Sequence, residues 1–332
     1  VSAAAIEPAD VPRIAEGARF VPQERLGGAP HVVVDGPRMP GTVLALSHWP
    51  DSGTPEHLAA DTSALIADAY LRRPGAGQPV EALTTNHYDE DGLLAIWLLL
   101  ERPPEGAPER ALALAAAEAG DFGTWTDPWA ARVAIAAMAM AERGSPFPEV
   151  GRALAGARGN PAGALYEAVL PRTGPLLADP ERHRMLWASE WEGVESDIAL
   201  LEAGEATLEE EPAADVAIVR APRPLHDMAV HPRTGRTRVL TAAPDGTLVV
   251  GHRYETWVRY VSRPLPPRVD LSPLAQRLQE LEERPGTWVF EGVRSIRPRL
   301  FLAGPGGAPA PSSIGPERLV AELAGFLEAR GT

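Results

Sequence analysis

The sequence predicts an α/β protein, with a parallel-sheet N-terminal domain covered by helices on both faces and a smaller α/β C-terminal domain containing an antiparallel sheet. Three observations lead there. Short β-branched runs alternate with helical patterns over residues 1–205, as in strands joined by crossover helices. Beyond residue 212 the pattern changes to short strands separated by Asp-Gly and Pro turns. A chain of 332 residues exceeds one ordinary core, and two domains are read at 1–205 and 213–332.

His31 to Asp35 and Val43 to Ser47 are apolar runs bounded by Gly and Pro, as buried strands are. Asp61-Thr62-Ser63 can cap a helix continuing through ALIADAYLRR. Pro79 to Thr85 reads as a strand and Gly92 to Glu101 as a strongly apolar helix, followed by Ala-rich helices at Glu109 to Ala119 and Pro128 to Arg143. Helical spacing runs from Pro161 to Glu205, with Trp187 and Trp191 on one face, and the acidic stretch Glu205 to Pro212 marks a junction. Strands are expected at Asp215 to Arg220, Met228 to His231, Arg238 to Thr241, Thr247 to Tyr254, Trp257 to Val261 and Trp288 to Phe290. Helices are expected at Ser272 to Glu283 and Pro316 to Arg330, with a Gly/Pro loop between Gly304 and Pro311.

Composition removes several function classes. Hydrophobic residues at 45% and charged residues at 23% are globular values that argue against a disordered or fibrous chain. The formal net charge of -14, with no basic stripe, argues against a duplex nucleic acid partner. Cysteine is absent, which excludes disulfides, thiolate chemistry and Cys-ligated zinc. Lysine is absent too, which excludes Schiff-base chemistry and a P-loop lysine. No apolar run reaches membrane-spanning length and no basic-then-hydrophobic segment opens the chain, so no membrane partner and a cytoplasmic location are expected.

The segment Asn86-His87-Tyr88-Asp89-Glu90-Asp91-Gly92 falls where a strand ends and a helix begins, the edge at which open α/β sheets place ligands. Extended backbone through it would turn His87, Asp89 and Asp91 to one side. That sulfur-free donor set suits Mn²⁺, Mg²⁺ or Fe²⁺, and carboxylates this dense repel one another without a cation. Asp35 and His48 also stand at strand ends, and Asp121 lies between two glycines.

His87-Tyr88-Asp89-Glu90-Asp91-Gly92 followed by LLAIWLLL resembles the first metal-binding motif of the DHH phosphoesterase superfamily. That resemblance implies one or two Mn²⁺ or Mg²⁺ ions used to hydrolyse phosphodiesters, pyrophosphate or short nucleotides, and a second domain that binds substrate. The motifs are permuted, since VVVDGP and LSHWP precede this one, and Ser47-His48-Trp49 stands where the family has Asp-His-His. LSHWP, NHYDEDG and AGDFG together are also similar to a group of bacterial proteins without an assigned activity. VDLSPLAQRL and Gly306-Gly307-Ala308 resemble, more faintly, the Gly-rich substrate loop of the DHH-associated domain, without its His.

The expectation is a metal-dependent phosphoesterase-like hydrolase of a small phosphate ester or nucleotide, with substrate between the domains. Its metal ligands would be His87, Asp89, Asp91, Asp35, Asp121 and His48, with His87, Asp89, Asp91 and His48 catalytic. Asn86, Arg253, Arg259, Gly306, Gly307 and Ser312 would contact substrate. Two alternatives stay open at the level of sequence: a nucleotide- or anion-binding protein with a degenerate site, and a metal-free biosynthetic enzyme with His87 or His48 as proton carrier. A homodimer is compatible with either.

Overall fold

In the computed structural model, residues 11–331 are described. The first ten residues, where the sequence reading found no leader segment, and Thr332 lie outside the described residues. The chain forms two compact units. The first runs through Trp191 and regains Val258–Arg263; the second holds Glu192–Trp257 and Pro264 onward.

The first unit carries a four-stranded parallel sheet of β1 (Arg13–Phe20), β2 (His31–Val34), β3 (Thr42–Leu46) and β4 (Pro79–Thr84), in the order β1-β4-β2-β3. Every residue of β2 is buried, which is why it reads as an unbroken apolar run rather than an alternating one. Around the sheet run α1 (Ser63–Arg72), α2 (Glu90–Glu101), α3 (Pro108–Phe122), α4 (Pro128–Met140), α5 (Pro148–Gly156), α6 (Ala162–Ala178) and α7 (Arg184–Glu202), the last continuing into the second unit. The anchor is α2: Leu93, Leu94, Ile96, Leu98 and Leu99 are fully buried, each stabilising by about 2 kcal/mol. Arg102 ends α2 in a left-handed conformation and donates to the carbonyls of Ile14 and Ala15, tying the helix to β1.

The second unit holds a six-stranded mixed sheet of β5 (Thr207–Glu211), β6 (Val216–Arg220), β7 (Arg238–Ala242), β8 (Leu248–His252), β9 (Thr287–Phe290) and β10 (Arg299–Ala303) in the order β5-β6-β7-β8-β10-β9. All neighbours are antiparallel except β6 and β7. That exception corrects one expected strand: Met228 to His231 belongs to a short helix, α8 (Asp227–Val230), and the turn after it. Parallel neighbours need a crossover, and this segment supplies it. Helices α9 (Ser272–Leu281) and α10 (Pro316–Glu328) pack on the core formed by Val216, Leu240, Val250, Leu300 and their neighbours.

Trp257 to Val261 is likewise not a strand. Its N–H groups find side-chain and loop partners in the first unit: Val261 and Ser262 donate to Asp61 Oδ1 at 2.6 and 2.9 Å, and Arg259 donates to the His48 carbonyl at 2.7 Å. No helix among the described residues is long and apolar enough to cross a membrane.

Candidate metal centre

Strand order prepares the site. From β2 the chain steps to β3 on one side, then crosses back to β4 on the other. Such a reversal opens a crevice at the carboxyl ends of the strands. Asp35 follows β2, Ser47 and His48 follow β3, and Thr85, Asn86 and His87 follow β4.

Asp35 is buried, with φ of 47°, a left-handed conformation that Asp and Asn tolerate better than other side chains. Its Oδ1 accepts from Ser63 Oγ at 2.7 Å and lies 3.4 Å from His48 Nε2. Its Oδ2 faces the other way, 3.3 Å from His87 Nε2.

Both imidazoles are oriented from behind. His48 Nδ1 lies 2.5 Å from the Asp61 carbonyl, which makes Nδ1 the protonated nitrogen and turns Nε2 toward Asp35, Asp121 at 3.6 Å and Asp91 at 3.7 Å. His87 Nδ1 lies 3.1 Å from Asn86 Oδ1, and its Nε2 is 2.6 Å from Asp89 Oδ2. Asp89 also caps α2, its Oδ1 accepting from Gly92 N at 2.9 Å.

The expected line of His87, Asp89 and Asp91 does not form, because α2 begins at Glu90 and ends the extended backbone after Asp89. Asp91 instead crosses to α1, where its two oxygens accept the Ser63 and Ala64 N–H groups, each at 2.7 Å. Two triads result, sharing Asp35: Asp35, His87 and Asp89, and Asp35, His48 and Asp91. Within each, one donor atom per residue lies within 4.8 Å of the others, close to the roughly 4.2 Å that two bonds of about 2.1 Å to one divalent cation reach. These oxygen and imidazole donors suit a hard or borderline cation. Asp121 joins from the last turn of α3, where Gly120 makes room for Glu90: a Cβ on residue 120 would lie 1.9 Å from Glu90 Oε1.

Without a cation the cluster holds protons. Burial raises Asp91 and Asp121 well above the ordinary carboxylate range, and neighbouring carboxylates push them further. Burial and Asp35 raise Asp89 despite its bond to His87. Burial alone would raise Asp35, but the bond and charge of His87, then His48 and Ser63, outweigh it and hold Asp35 at about 2. For His87, burial is likewise overcome by Asp35 and Asp89, which lift it to about 11. An imidazole held charged that far into alkali is no near-neutral proton carrier, which counts against His87 in the metal-free reading.

A pH dependence follows. The raised carboxylates stabilise the metal-free fold below their ordinary 3.8 and lose that contribution as pH climbs through their raised values; His87 loses its own between 6.5 and about 11; depressed Asp35 matters only below 3.8. All the raised groups act in one direction above pH 4 or so. Chelator-treated protein should therefore melt at progressively lower temperature from about pH 7 to about pH 9, above the range in which buried His252, held at about 3, acts in the opposite direction, and excess Mn²⁺ should flatten the slope. A melting temperature that rises over that range without metal would contradict this electrostatic picture.

A cavity of about 750 Å³ lies in the same unit. Thr85, Arg152, Arg158 and Asn160 supply polar walls, and Gly156, Ala162 and Gly163 leave the space open. Thr85 Oγ1 donates to the Asp35 carbonyl at 3.0 Å, and the Asn160 amide donates to the Asn86 carbonyl, so the cavity wall and the cluster share a backbone.

The other expected substrate contacts are distributed as follows. Arg259 belongs to the first unit, where its guanidinium pairs with Glu56. Arg253, in the second unit, is buried, bonded to Glu255 at 2.8 Å and to the Thr234 carbonyl at 2.8 Å, and is held inside that unit. Ser312 Oγ donates to Glu282 at 2.5 Å, while Gly306 and Gly307 form an exposed turn. Sequence reasoning missed Asp61, Ser63 and Tyr166. Asp61 and Ser63 were visible only as a helix cap, and Tyr166 only as a position within the helical spacing of Pro161 to Glu205.

Fold and cluster define an α/β protein of two units whose first unit carries a buried acidic and histidine cluster able to hold a divalent cation. The chain belongs to a family of unknown function, DUF6687, whose model matches residues 16–331. No curated protein matches it. Among solved structures it is similar to RecJ in complex with Mg²⁺ from Thermus thermophilus, at 13% identity and a TM-score of 0.27, covering 92% of this chain and 51% of that one. The chain thus spans about half the length of the RecJ chain.

Proposed function

We propose that this protein is a metal-dependent hydrolase of the DHH phosphoesterase type, acting on a small phosphate ester or nucleotide with two Mn²⁺ or Mg²⁺ ions. The observation that carries the reading is the Asp35 carboxylate, which turns one oxygen toward His48 and the other toward His87. A carboxylate so placed would contribute to both positions if each held a cation. One position would be held by Asp35, His87 and Asp89, the other by Asp35, His48 and Asp91, with Asp121 beside His48. Bound there, the ions supply the Lewis acidity that lowers the pKa of water and neutralises a phosphoryl group.

The chain's own residues do the rest. Asp61 and Asn86 hold the two imidazoles in the tautomer that presents Nε2. The cavity beside Thr85 is of small-ligand size, and Arg152 and Arg158 would bind the non-reacting anionic part of the substrate there. Replacing both with Ala should raise KM about tenfold with kcat within about twofold, the signature of binding that is equal in ground and transition states. A fall in kcat at unchanged KM would move the arginines out of that role.

The reading as a whole is tested by Mn²⁺-supplemented turnover of phosphodiesters, pyrophosphate and dinucleotides, wild type beside Asp89→Asn. Turnover by wild type alone supports it. Metal-loaded wild type that turns over none of them would favour a binding protein instead.

A further inference from the structure

Tyr166, at the start of the second turn of α6, has a hydroxyl that the two triads leave unexplained. Its ring stacks on Phe20 at 4.8 Å and meets Tyr88 edge-on at 5.2 Å, and the residue is fully buried. Its Oη makes no hydrogen bond among the described residues. Burying an O–H without an acceptor is unfavourable, so such a group usually awaits a partner.

The surroundings of Gly92 place the hydroxyl beside the triad. A Cβ on residue 92 would lie 2.5 Å from Tyr166 Oη, 3.1 Å from Asp89 Oδ1 and 3.2 Å from Asp35 Oδ2. Three oxygens from three separate parts of the chain therefore crowd the Gly92 backbone, too closely for any side chain at residue 92. Two of them belong to the Asp35, His87 and Asp89 triad. The third is a donor held beside these carboxylates without bonding to either. A cation held by the carboxylates and carrying an acceptor oxygen on the side of the phenol would satisfy all three groups.

We propose that Tyr166 is a ligand-binding residue whose hydroxyl donates to an oxygen of a tetrahedral oxyanion, phosphate being the simplest, seated on the cation of the Asp35, His87 and Asp89 triad. The inference rests on the metal-centre reading and adds the oxyanion position to it. A neutral donor suits this place, since it recognises an acceptor without competing with the cation for the carboxylates.

The test is a two-stage titration of wild type and Tyr166→Phe, first with Mn²⁺ alone, then with inorganic phosphate on the Mn²⁺-loaded protein. Tyr166→Phe should keep its Mn²⁺ affinity within about twofold and lose about tenfold in phosphate affinity. Equal phosphate affinity in the two proteins would overturn the proposal, as would a wild type that holds Mn²⁺ and ignores phosphate. Loss of Mn²⁺ along with phosphate in Tyr166→Phe would also overturn it, making Tyr166 a metal ligand or a structural prop. A wild type that takes up no Mn²⁺ fails at the first stage, bringing down the metal-centre reading and this inference together.

Discussion

Asp35→Asn is expected to abolish cation binding at both positions at once, lowering Mn²⁺ affinity at least about a hundredfold and turnover to background. The reason is geometric: one carboxylate lies in both triads, so one substitution weakens both. It is also a substitution that keeps the local backbone and one hydrogen bond. Asn tolerates the left-handed backbone at φ of 47°, and its amide oxygen can still accept from Ser63 Oγ, the bond Asp35 makes at 2.7 Å. Circular dichroism should therefore stay close to wild type while Mn²⁺ binding by calorimetry disappears, and the lost pairing with His87 should lower the melting temperature of the metal-free protein. A variant that keeps one full-affinity ion would show that Asp35 does not serve both positions.

Asp91→Ala should behave in the opposite sense, costing about 3 kcal/mol of stability whether or not metal is present. Both Asp91 oxygens accept backbone N–H groups at the start of α1, and the residue is completely buried. Removing it strands two donors at a helix terminus with no water to replace the acceptor. Asp91→Asn is no safe control, because its NH₂ group would face an N–H that needs an acceptor. Urea denaturation of chelator-treated protein checks this, and a loss under about 1 kcal/mol would mean that water or a neighbouring side chain can replace the carboxylate. The practical consequence is that loss of activity in an Asp91 variant would not by itself identify a ligand; Asp35 and Asp89 are the informative positions.

Much of the fold is readable in the residues. The unbroken apolar run of β2, the Thr62 cap of α1 and the buried stretch of α2 each impose their element locally. What escapes is what tertiary partners decide. Arg13–Phe20 becomes a strand because it can lie beside β4, although its small and charged residues show little pattern. Thr207–Glu211 reads as an acidic junction, yet it is an edge strand of the kind that charge protects from further pairing. The metal-centre candidates were visible as residue types at strand ends, but their grouping was not. Period-two alternation put Asp91 with His87, whereas the helix starting at Glu90 turned it toward His48. Tyr166 and the segment Val258–Arg263 could not be tied to the site from sequence, since distant chain folding brings them there.

The most direct test of the central claim is the cation stoichiometry of wild-type protein purified without chelator or an affinity metal, measured by elemental analysis and by Mn²⁺ titration of the stripped protein. Two ions per chain, neither retained in Asp35→Asn, is the result the Asp35-bridged arrangement predicts. No metal as purified and no Mn²⁺ uptake on titration would contradict it.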